Sequence, residues 1–451
     1  MAVEQTELPL AARGETPRAQ WSEEAEPTAS AAARSGDGDL MSQVVARNNL
    51  ARALARVRRN QGRAGIDGMT VEELGPYLRA HWRGIREALL AGTYQPCAVR
   101  HHEIPKADGR VRTLGIPTVL DRFIQQAVLQ VLQPRFDPTF SEASYGFRPG
   151  RKAHDAIRQA QRYVASGRRW VVDVDLAQFF DRVNHDVLMG KLHHRIPDRR
   201  VLALIRRYLE AGMMANGVVH ERREGTPQGG PLSPLLANLY LDGVDKALER
   251  RGQCFVRYAD DCNVYVRSKR AGERVMQALI GLYTQLHLQV NVAKSAVAPV
   301  GERQFLGFRF GVAPDGVITR CVAPHALTKM KDRIRGITAR NGGRSIAQVV
   351  AELRSYLVGW RNYFRLADTP IVFAQLDRWL HRRLRALYLK HWKRGPTVFR
   401  ELRRRGVPYG AAGRAARSTG QWWRAADQAA LHLALPPSYF ERLGVPRLVP
   451  W

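Results

Sequence analysis

Two β-rich runs joined by a pair of aspartates constrain the fold of this chain most strongly. Residues 255–258 and 262–266 are largely apolar, aromatic and β-branched, and Ala259-Asp260-Asp261 separates them. This pattern predicts a β-hairpin with a tight turn. Aspartate is common in turns because it caps its own backbone, so a purely structural role for the pair stays open. Two carboxylates beside strands that we expect to be buried nevertheless favour a functional site.

A second acidic strand supports this interpretation. In residues 170–175 a period of two puts Asp173 and Asp175 on one face and Val172 and Val174 on the other. Asp175 ends the strand, where its side chain can leave the sheet. Carboxylates that meet at one point repel each other, and without nearby His or Cys they favour Mg²⁺ over zinc as a counter-ion. Two Mg²⁺ ions ~3.5–4 Å apart serve in-line phosphoryl displacement, the chemistry that a nucleic-acid polymerase needs.

The charge of the chain predicts a polyanionic partner. Its 451 residues contain 71 Lys and Arg against 41 Asp and Glu, a net charge of +30. Residues 320–451 hold 26 basic and 7 acidic residues, whereas residues 1–40 hold 3 basic and 8 acidic ones. Nucleic acid is the usual partner for such an excess because each neutralised phosphate releases counterions. A basic protein without a specific partner is the alternative, which the concentration of charge disfavours.

Other features exclude several classes of protein. No run of eighteen apolar residues is present, so we expect no membrane span. The four cysteines form no CxxC pair and favour neither a disulfide framework nor a zinc site. Gly225, Gly229 and Gly230 are not followed by GKS or GKT, which argues against a P-loop ATPase. Because no signal peptide is evident, we expect a cytoplasmic protein.

Helical and extended patterns alternate irregularly along the chain. Residues 41–57 and 71–90 have helical spacing, and residues 99–117 predict two short strands. We expect a helix directly after residue 175, and mostly helices beyond Phe310. One apolar stripe with helical spacing consists of Leu376, Leu380, Leu384 and Leu387. Helices combined with antiparallel hairpins indicate the α+β class.

Several sequence blocks, in a fixed order, resemble the reverse transcriptase/maturase proteins encoded by group II introns. The blocks are residues 104–106 (IPK), 109–118 (GRVRTLGIPT), 144–150 (SYGFRPG), 175–181 (DLAQFFD), 224–234 (EGTPQGGPLSP), 255–261 (FVRYADD), 291–295 (NVAKS) and 305–308 (FLGF). One feature departs from many relatives, which end in an HNH-type nuclease with His and paired Cys. Residues 397–451 contain no Cys and only His432. We therefore expect no endonuclease domain and a primer from another source, such as a nascent strand at a replication fork.

The resemblance implies a right-hand polymerase with fingers and a palm built on an antiparallel sheet, followed by an α-helical thumb. The expected organisation is a disordered tail over residues 1–40, a helical extension of the fingers over 41–98, fingers and palm over 99–310, the thumb/maturase domain over 311–395, and a basic DNA-binding-like extension over 396–451.

The resemblance also implies the residues of the site. Asp175, Asp260 and Asp261 are the expected catalytic acids and, with the Leu176 carbonyl, the expected ligands of two Mg²⁺ ions. Asp173 fits the face argument equally well, but the family spacing to the Phe pair selects Asp175. The expected nucleotide-binding residues are Lys106 and Arg112 at the triphosphate, Phe180 against the ribose 2′-hydroxyl, Gln228 beside the nucleotide pocket and Lys294 as proton donor to pyrophosphate. For Lys294 an ordinary surface lysine is an open alternative.

The expected partners are group II intron RNA, target-site DNA with its primer, and deoxynucleotides. The residues expected to contact RNA or DNA are Arg361, Arg382, Arg385, Lys393, Arg403, Arg404 and Arg405, whereas Trp360 and Trp379 are expected in the core. The resemblance implies an RNA-directed DNA polymerase that stabilises the folded intron, assists its splicing and copies it into DNA during retrohoming. We expect it in the bacterial cytoplasm, at the nucleoid when it acts on DNA.

Three alternatives stay open. The first is a maturase that acts mainly as an RNA-binding splicing chaperone. The second is a reverse transcriptase of the same fold that serves repair or defence. The third, a viral RNA-dependent RNA polymerase, is disfavoured by Phe180.

Overall fold

The computed structural model describes residues 39–105, 111–215, 218–418 and 420–449, without the side chains of Pro105 and Arg112. These residues form two compact units, which divide between Leu306 and Gly307. Within the described ranges, no helix is long and apolar enough to cross a membrane. Residues 1–38 of the expected tail lie outside the described residues, whereas Asp39 caps the first helix and Leu40 begins it.

The first unit combines nine helices and eight strands among its described residues. Its helices are α1 (Leu40–Val44), α2 (Arg47–Asn60), α3 (Leu74–Leu90), α4 (Val119–Phe136), α5 (Ala153–Ala165), α6 (His185–His193), α7 (Arg199–Glu210), α8 (Ser233–Arg250) and α9 (Lys269–Gln285). Its strands are β1 (Val99–Pro105), β2 (Val111–Ile116), β3 (Trp170–Val174), β4 (Met213–Ala215), β5 (Val218–His220), β6 (Cys254–Tyr258), β7 (Asp261–Val266) and β8 (Ala296–Pro299). The predicted helices over residues 41–57 and 71–90 are confirmed in outline.

One four-stranded sheet, in the order β6-β7-β3-β8, carries the acidic residues. Its neighbouring strands are all antiparallel. Val172 and Val174 on β3 are buried, as the period of two predicts. Helix α9 packs on this sheet at Gly272, where an added Cβ would lie 2.4 Å from the Val297 side chain. The absence of a side chain at Gly272 therefore lets helix and sheet approach closely.

A second four-stranded sheet has the order β2-β1-β4-β5. The antiparallel β1–β2 pair confirms the predicted hairpin over residues 99–117, with Pro105 opposite Val111. Its tip, residues 106–110, lies outside the described residues. The sheet is mixed, because β4 pairs with β1 in parallel.

The prediction of a helix directly after residue 175 is wrong. Gln178 has a left-handed backbone (φ 51°), and a short 3₁₀ helix follows over Phe179–Asp181. The α-helix begins only at His185, where the Asn184 side chain caps it by accepting from the Val187 N–H. The apolar residues of this segment belong to a loop that packs into the core, and not to one face of a helix.

The second unit begins with an antiparallel hairpin of β9 (Phe308–Val312) and β10 (Ile318–Val322), which the sequence pattern did not predict. Its helices are α10 (Pro324–Ile337), α11 (Ile346–Phe364), α12 (Pro370–Trp392), α13 (Gly395–Arg404), α14 (Tyr409–Arg417), α15 (Trp422–Ala425), α16 (Ala429–Ala434) and α17 (Pro437–Arg442). The predicted stripe on α12 is confirmed, since all four leucines are at most 3% exposed. Trp360 is buried against Phe364 and Phe373, as expected for a core residue.

Candidate active site

The turn between β6 and β7 contains two residues. Tyr258 pairs with Asp261, so only Ala259 and Asp260 lie between the strands, and Asp261 is the first residue of β7. Ala259 has a left-handed backbone (φ 58°), which a two-residue hairpin of type II′ requires at its first central position. Asp260 and Asp261 are both partly exposed, whereas the strand residues behind them are buried.

The register of the sheet brings Asp175 to the same end. Val174 on β3 pairs with Cys262 on β7, so the next position on each strand places Asp175 beside Asp261. The two residues are 86 positions apart in the sequence, and the antiparallel pairing of β3 with β7 is what brings them together. Asp175 is partly exposed, at the point where its strand ends.

Residues that precede β8 hold Asp175 in place. The Asn291 backbone N–H donates to the Asp175 carbonyl over 2.8 Å, and its side-chain amide donates to Asp175 Oδ2 over 3.1 Å. The Asp175 N–H donates to Ser295 Oγ over 3.0 Å. The Lys294 ammonium lies 3.8 Å from Asp175 Oδ2. The hydrogen bonds of Asn291 and Ser295 with Asp175 were not predicted, although both residues lie in the block that carries the Lys294 prediction.

Asp173 occupies a different environment from Asp175. The Arg303 guanidinium donates to Asp173 Oδ2 over 2.8 Å through Nε and also through a terminal nitrogen. The Asp173 carboxylate is therefore ion-paired within the fold. The choice of Asp175 over Asp173 as the catalytic acid stays a prediction.

The donor set at this end of the sheet fits a hard divalent cation, because carboxylate and carbonyl oxygens are the ligands that Mg²⁺ prefers. Leu176 is buried and forms an antiparallel bridge with Val290, next to Asp175. In the described part of the chain, no group of three or more His, Cys, Asp or Glu side chains is arranged to hold a metal ion. The fit thus rests on the type of donor and on the register that gathers Asp175 and Asp261.

Phe180, five residues after Asp175 in the chain, lies in a small aromatic cluster. Its ring is 9% exposed and contacts Phe179 and Phe147 edge to face, with centroids 5.0 and 6.4 Å away. The Thr226 N–H donates to the Phe180 carbonyl over 2.7 Å. The Phe180 ring is therefore fixed by packing and its backbone by the loop that contains Gln228.

That loop is bound to the segment after β3 at several points. The Gly225 N–H donates to the Val183 carbonyl over 2.8 Å, and the buried His185 donates from Nε2 to the Gly225 carbonyl over 2.7 Å. Burial lowers the pKa of His185, which keeps the ring neutral. The Gln228 amide lies 3.4 Å from Asp181 Oδ1, so it borders the same segment as Phe180. His185 is a further residue that the sequence analysis missed.

The structure does not describe the side chains of the two residues that are expected to bind the triphosphate. Lys106 lies outside the described residues. Arg112 lies on β2 opposite Ile104, and the position of its side chain is not described.

A buried ion pair lies directly behind the aspartate turn. Arg257 on β6 and Asp245 on α8 are both fully buried, and Arg257 Nε lies 2.8 Å from Asp245 Oδ1. Burial alone would lower the pKa of Arg257, but the Asp245 carboxylate more than offsets it, so the pKa of the guanidinium is raised. Burial raises the pKa of the nearby Cys262 thiol to about 12, so it is not a nucleophile at neutral pH. The sequence analysis missed Arg257. The signal that could have identified it is a charged residue within a strand that is otherwise expected to be buried.

The seven residues expected to contact RNA or DNA differ in how far their side chains are exposed. Arg385 is 3% exposed and donates to the Leu435 carbonyl over 3.0 Å, so it does not reach the surface and its expected phosphate contact is not supported. Arg382 stacks on the Trp423 ring at 4.4 Å and lies 3.2 Å from an Asp427 carboxylate oxygen. Arg361 is partly buried and donates to the Arg447 carbonyl. Arg405 is also partly buried and binds Glu401. The other three residues expected to contact RNA or DNA, Lys393, Arg403 and Arg404, are exposed.

Comparisons with known proteins identify two family domains in this chain. The family described as "Reverse transcriptase (RNA-dependent DNA polymerase)" matches residues 104–310, and the family described as "Group II intron, maturase-specific domain" matches residues 327–406. Protein YkfC of Escherichia coli is 33% identical over 54% of this chain and 75% of its own length. The group II intron-encoded protein LtrA of Lactococcus lactis is 42% identical over 36% of this chain and 27% of its own length.

Among solved structures, a partial Cas6-RT-Cas1–Cas2 complex is similar, with 26% identity, a TM-score of 0.36, and coverage of 56% of this chain and 43% of that one. The chain thus spans three quarters of one curated relative and about a quarter of the other. A reverse transcriptase domain is followed by a maturase domain, in the order that the sequence blocks indicated. The chain belongs to the family of group II intron-encoded reverse transcriptases and maturases.

Proposed function

We propose that this protein copies group II intron RNA into DNA and assists the splicing of the same RNA. The observation that carries the polymerase part is the register of β3 and β7, which sets Asp175 beside Asp261 at the end of one sheet. The aspartate turn adds Asp260 at the same end. Carboxylates gathered at a strand end are suited to binding metal-complexed nucleotides.

In this proposal Asp175, Asp260 and Asp261 hold two Mg²⁺ ions, with the Leu176 carbonyl as a further ligand. Bound Mg²⁺ supplies activation of the primer 3′-hydroxyl and stabilisation of the leaving pyrophosphate. Asn291 orients the Asp175 carboxylate through its side-chain amide. The residues of the chain thus fix the acids in advance, which lowers the cost of assembling the site.

The remaining side chains act on the nucleotide. Phe180 excludes a ribose 2′-hydroxyl because its ring is held by Phe147 and Phe179. Lys106 and Arg112 bind the triphosphate, and Gln228 lines the nucleotide pocket. Lys294, whose ammonium lies close to Asp175, donates a proton to the leaving pyrophosphate.

The maturase part of the proposal rests on the second unit and its charge. Residues 320–451 hold 26 basic and 7 acidic residues, which favours binding to a folded RNA through its phosphates. The RNA performs the splicing chemistry, and the protein stabilises its active fold. The exposed Lys393, Arg403 and Arg404 are the candidates for these contacts, and for contacts with target-site DNA during retrohoming.

Primer extension tests the polymerase part. The purified protein is given an RNA template, an annealed DNA primer, Mg²⁺ and deoxynucleotides. We expect synthesis by the wild type and none by Asp260→Ala. Asp315→Ala is a matched control, because Asp315 lies in the turn between β9 and β10 and caps the Val317 N–H. Synthesis by the control variant would assign the loss to the site rather than to a missing turn carboxylate.

A splicing assay on the intron RNA separates the two activities. Asp260→Ala is expected to support splicing as the wild type does, because the maturase role requires only binding. If the wild type binds RNA and assists splicing but never extends a primer, the polymerase part is wrong and the splicing-chaperone alternative holds.

A further inference from the structure

Arg257 is a fully buried charged residue in a strand whose other inward positions are apolar. Its guanidinium uses four of its five N–H groups. Nε and one terminal nitrogen bind the Asp245 carboxylate, and Nη1 donates to Asn238 Oδ1 over 2.9 Å and to the Ala259 carbonyl over 2.8 Å. The last of these bonds reaches the turn that carries Asp260.

Stability alone does not account for this pair. Removing two charges from water is costly, and well-packed apolar residues of similar volume are often as stabilising as a buried ion pair. A directed contact, however, needs a polar group. The Ala259 carbonyl belongs to a residue in the left-handed region (φ 58°), and a fixed hydrogen bond to that carbonyl holds the turn in its strained conformation.

The same hydrogen-bond network also contacts the turn from a second side. The Asn238 amide, which accepts from Arg257, donates to the Gly146 carbonyl over 2.9 Å. Gly146 lies so close to the turn that an added Cβ would be 2.2 Å from the Ala259 nitrogen. The Tyr145 N–H also donates to the Arg257 carbonyl over 2.9 Å. The turn is therefore enclosed between the guanidinium and the segment around Gly146.

We infer that Arg257, held in place by Asp245, is a positioning residue that fixes Asp260 and Asp261 for catalysis through the Ala259 carbonyl. The inference rests on the proposed polymerase function and adds a buried support that touches neither metal nor nucleotide. Because small displacements of catalytic groups are costly, loss of this bond affects turnover more than substrate binding.

The test separates positioning from stability by replacing the pair with apolar residues. The double variant Arg257→Met/Asp245→Leu removes both charges and leaves neither one buried alone. It is compared with Arg200→Met/Asp198→Leu, which removes another ion pair of the same unit, at the N-terminal end of α7 and on neither β6 nor β7. Primer extension gives kcat and the KM for primer–template, a Mg²⁺ titration gives the concentration for half-maximal rate, and thermal unfolding gives Tm.

For the Arg257/Asp245 variant we expect kcat to fall by about 10²-fold with KM unchanged within twofold, and the half-maximal Mg²⁺ concentration to rise. The control pair should keep kcat. If the Arg257/Asp245 variant does not fold, Arg257→Lys gives the same readout, because a single ammonium cannot replace the fork that binds Asp245 and Ala259 together.

The outcomes are distinguishable. A folded Arg257/Asp245 variant with wild-type kcat overturns the positioning role and leaves the proposed function intact. A wild type that extends no primer under any Mg²⁺ concentration overturns the proposed function, and the positioning role with it. A variant in which kcat falls only in proportion to the unfolded fraction shows a purely structural pair and also overturns the inference.

Discussion

The ammonium of Lys294 lies 3.8 Å from a carboxylate oxygen of Asp175, although the two residues are 119 positions apart. Both side chains are partly exposed, at 30% and 21%, so the pair is open to solvent and to a substrate. A divalent cation that binds Asp175 would compete with Lys294 for this carboxylate. In the proposed function, Lys294 displaced in this way would serve as the proton donor to pyrophosphate.

This pair leads to a first prediction. Replacing Lys294 with Gln removes the proton donor and should lower kcat by about 10²-fold, in the range typical of a lost general acid. The KM for primer–template should stay unchanged, since the lysine does not contact the duplex in this proposal. Steady-state primer extension over a range of pH measures both. A variant that retains full kcat at every pH would identify Lys294 as an ordinary surface lysine.

A second prediction concerns Gly146. Its added Cβ would lie 2.2 Å from the backbone nitrogen of Ala259, so Gly146→Ala must displace the aspartate turn. We expect primer extension to fall by about 10²-fold, because displacements near 1 Å are that costly. Gly281→Ala is the matched control, since Gly281 lies on α9 with nothing within 4 Å of an added Cβ. The control should keep its activity and gain about 0.5–1 kcal/mol of stability in chemical denaturation.

A third prediction concerns the choice of sugar. Phe180→Val shortens the side chain while keeping the position apolar, and it should raise the incorporation of ribonucleotides relative to deoxynucleotides. The physical reason is that the Phe180 ring, fixed by Phe147 and Phe179, then no longer occupies the space beside the 2′-hydroxyl. Competing extension with both nucleotide types measures the ratio. An unchanged ratio in an active variant would remove Phe180 from the sugar pocket.

A fourth prediction concerns the pH dependence of the second unit. Burial, with a smaller contribution from Arg385, lowers the pKa of His381 from 6.5 to about 4, and the ring stacks on Phe440 with centroids 5.4 Å apart. The charged groups facing it are Arg385, Glu441 and Arg447. Because the unfolded chain binds the proton first, stability should fall as pH drops from 6.5 toward 4.

The size of this effect follows from the shift. Between pH 7 and pH 5 the contribution of His381 should decrease by roughly 1–2 kcal/mol. Denaturant unfolding at the two pH values measures it, with His381→Gln as the comparison, since Gln does not titrate. Equal losses in the wild type and the variant would show that other groups cause the acid sensitivity.

Local sequence patterns predicted the elements that depend on neighbouring residues. The period of two in residues 170–175 placed Val172 and Val174 in the core, and the leucine stripe of α12 is buried as expected. The hairpin over residues 99–117 was also foreseen. The helix predicted directly after residue 175 was wrong, because Gln178 adopts a left-handed backbone that propensity does not show. The expectation that the acids bind Mg²⁺ came from the pattern, whereas the choice of Asp175 over Asp173 came from resemblance to a family.

Arginines illustrate the limit of reading charge from sequence. Arg385 and Arg404 are both basic residues in the second unit, but Arg385 is buried against the Leu435 carbonyl whereas Arg404 is exposed. Arg257 is likewise buried, with a partner twelve positions earlier on a different element. The amino-acid composition counts these three arginines alike. It gives their charge but does not show which face of a helix or strand packs against the core.

The sequence by itself determined most of the strands and helices, the aspartate turn, the basic second half and the family, because each depends on residues close together in the chain or on ordered blocks. Tertiary structure alone decided that Asp175 lies beside Asp261, that Asn291 and Lys294 bind Asp175, and that Arg257 supports the turn. These relationships join residues on different elements. They are fixed by strand register and side-chain packing, in which the free energy is gained only when distant segments are brought together and buried.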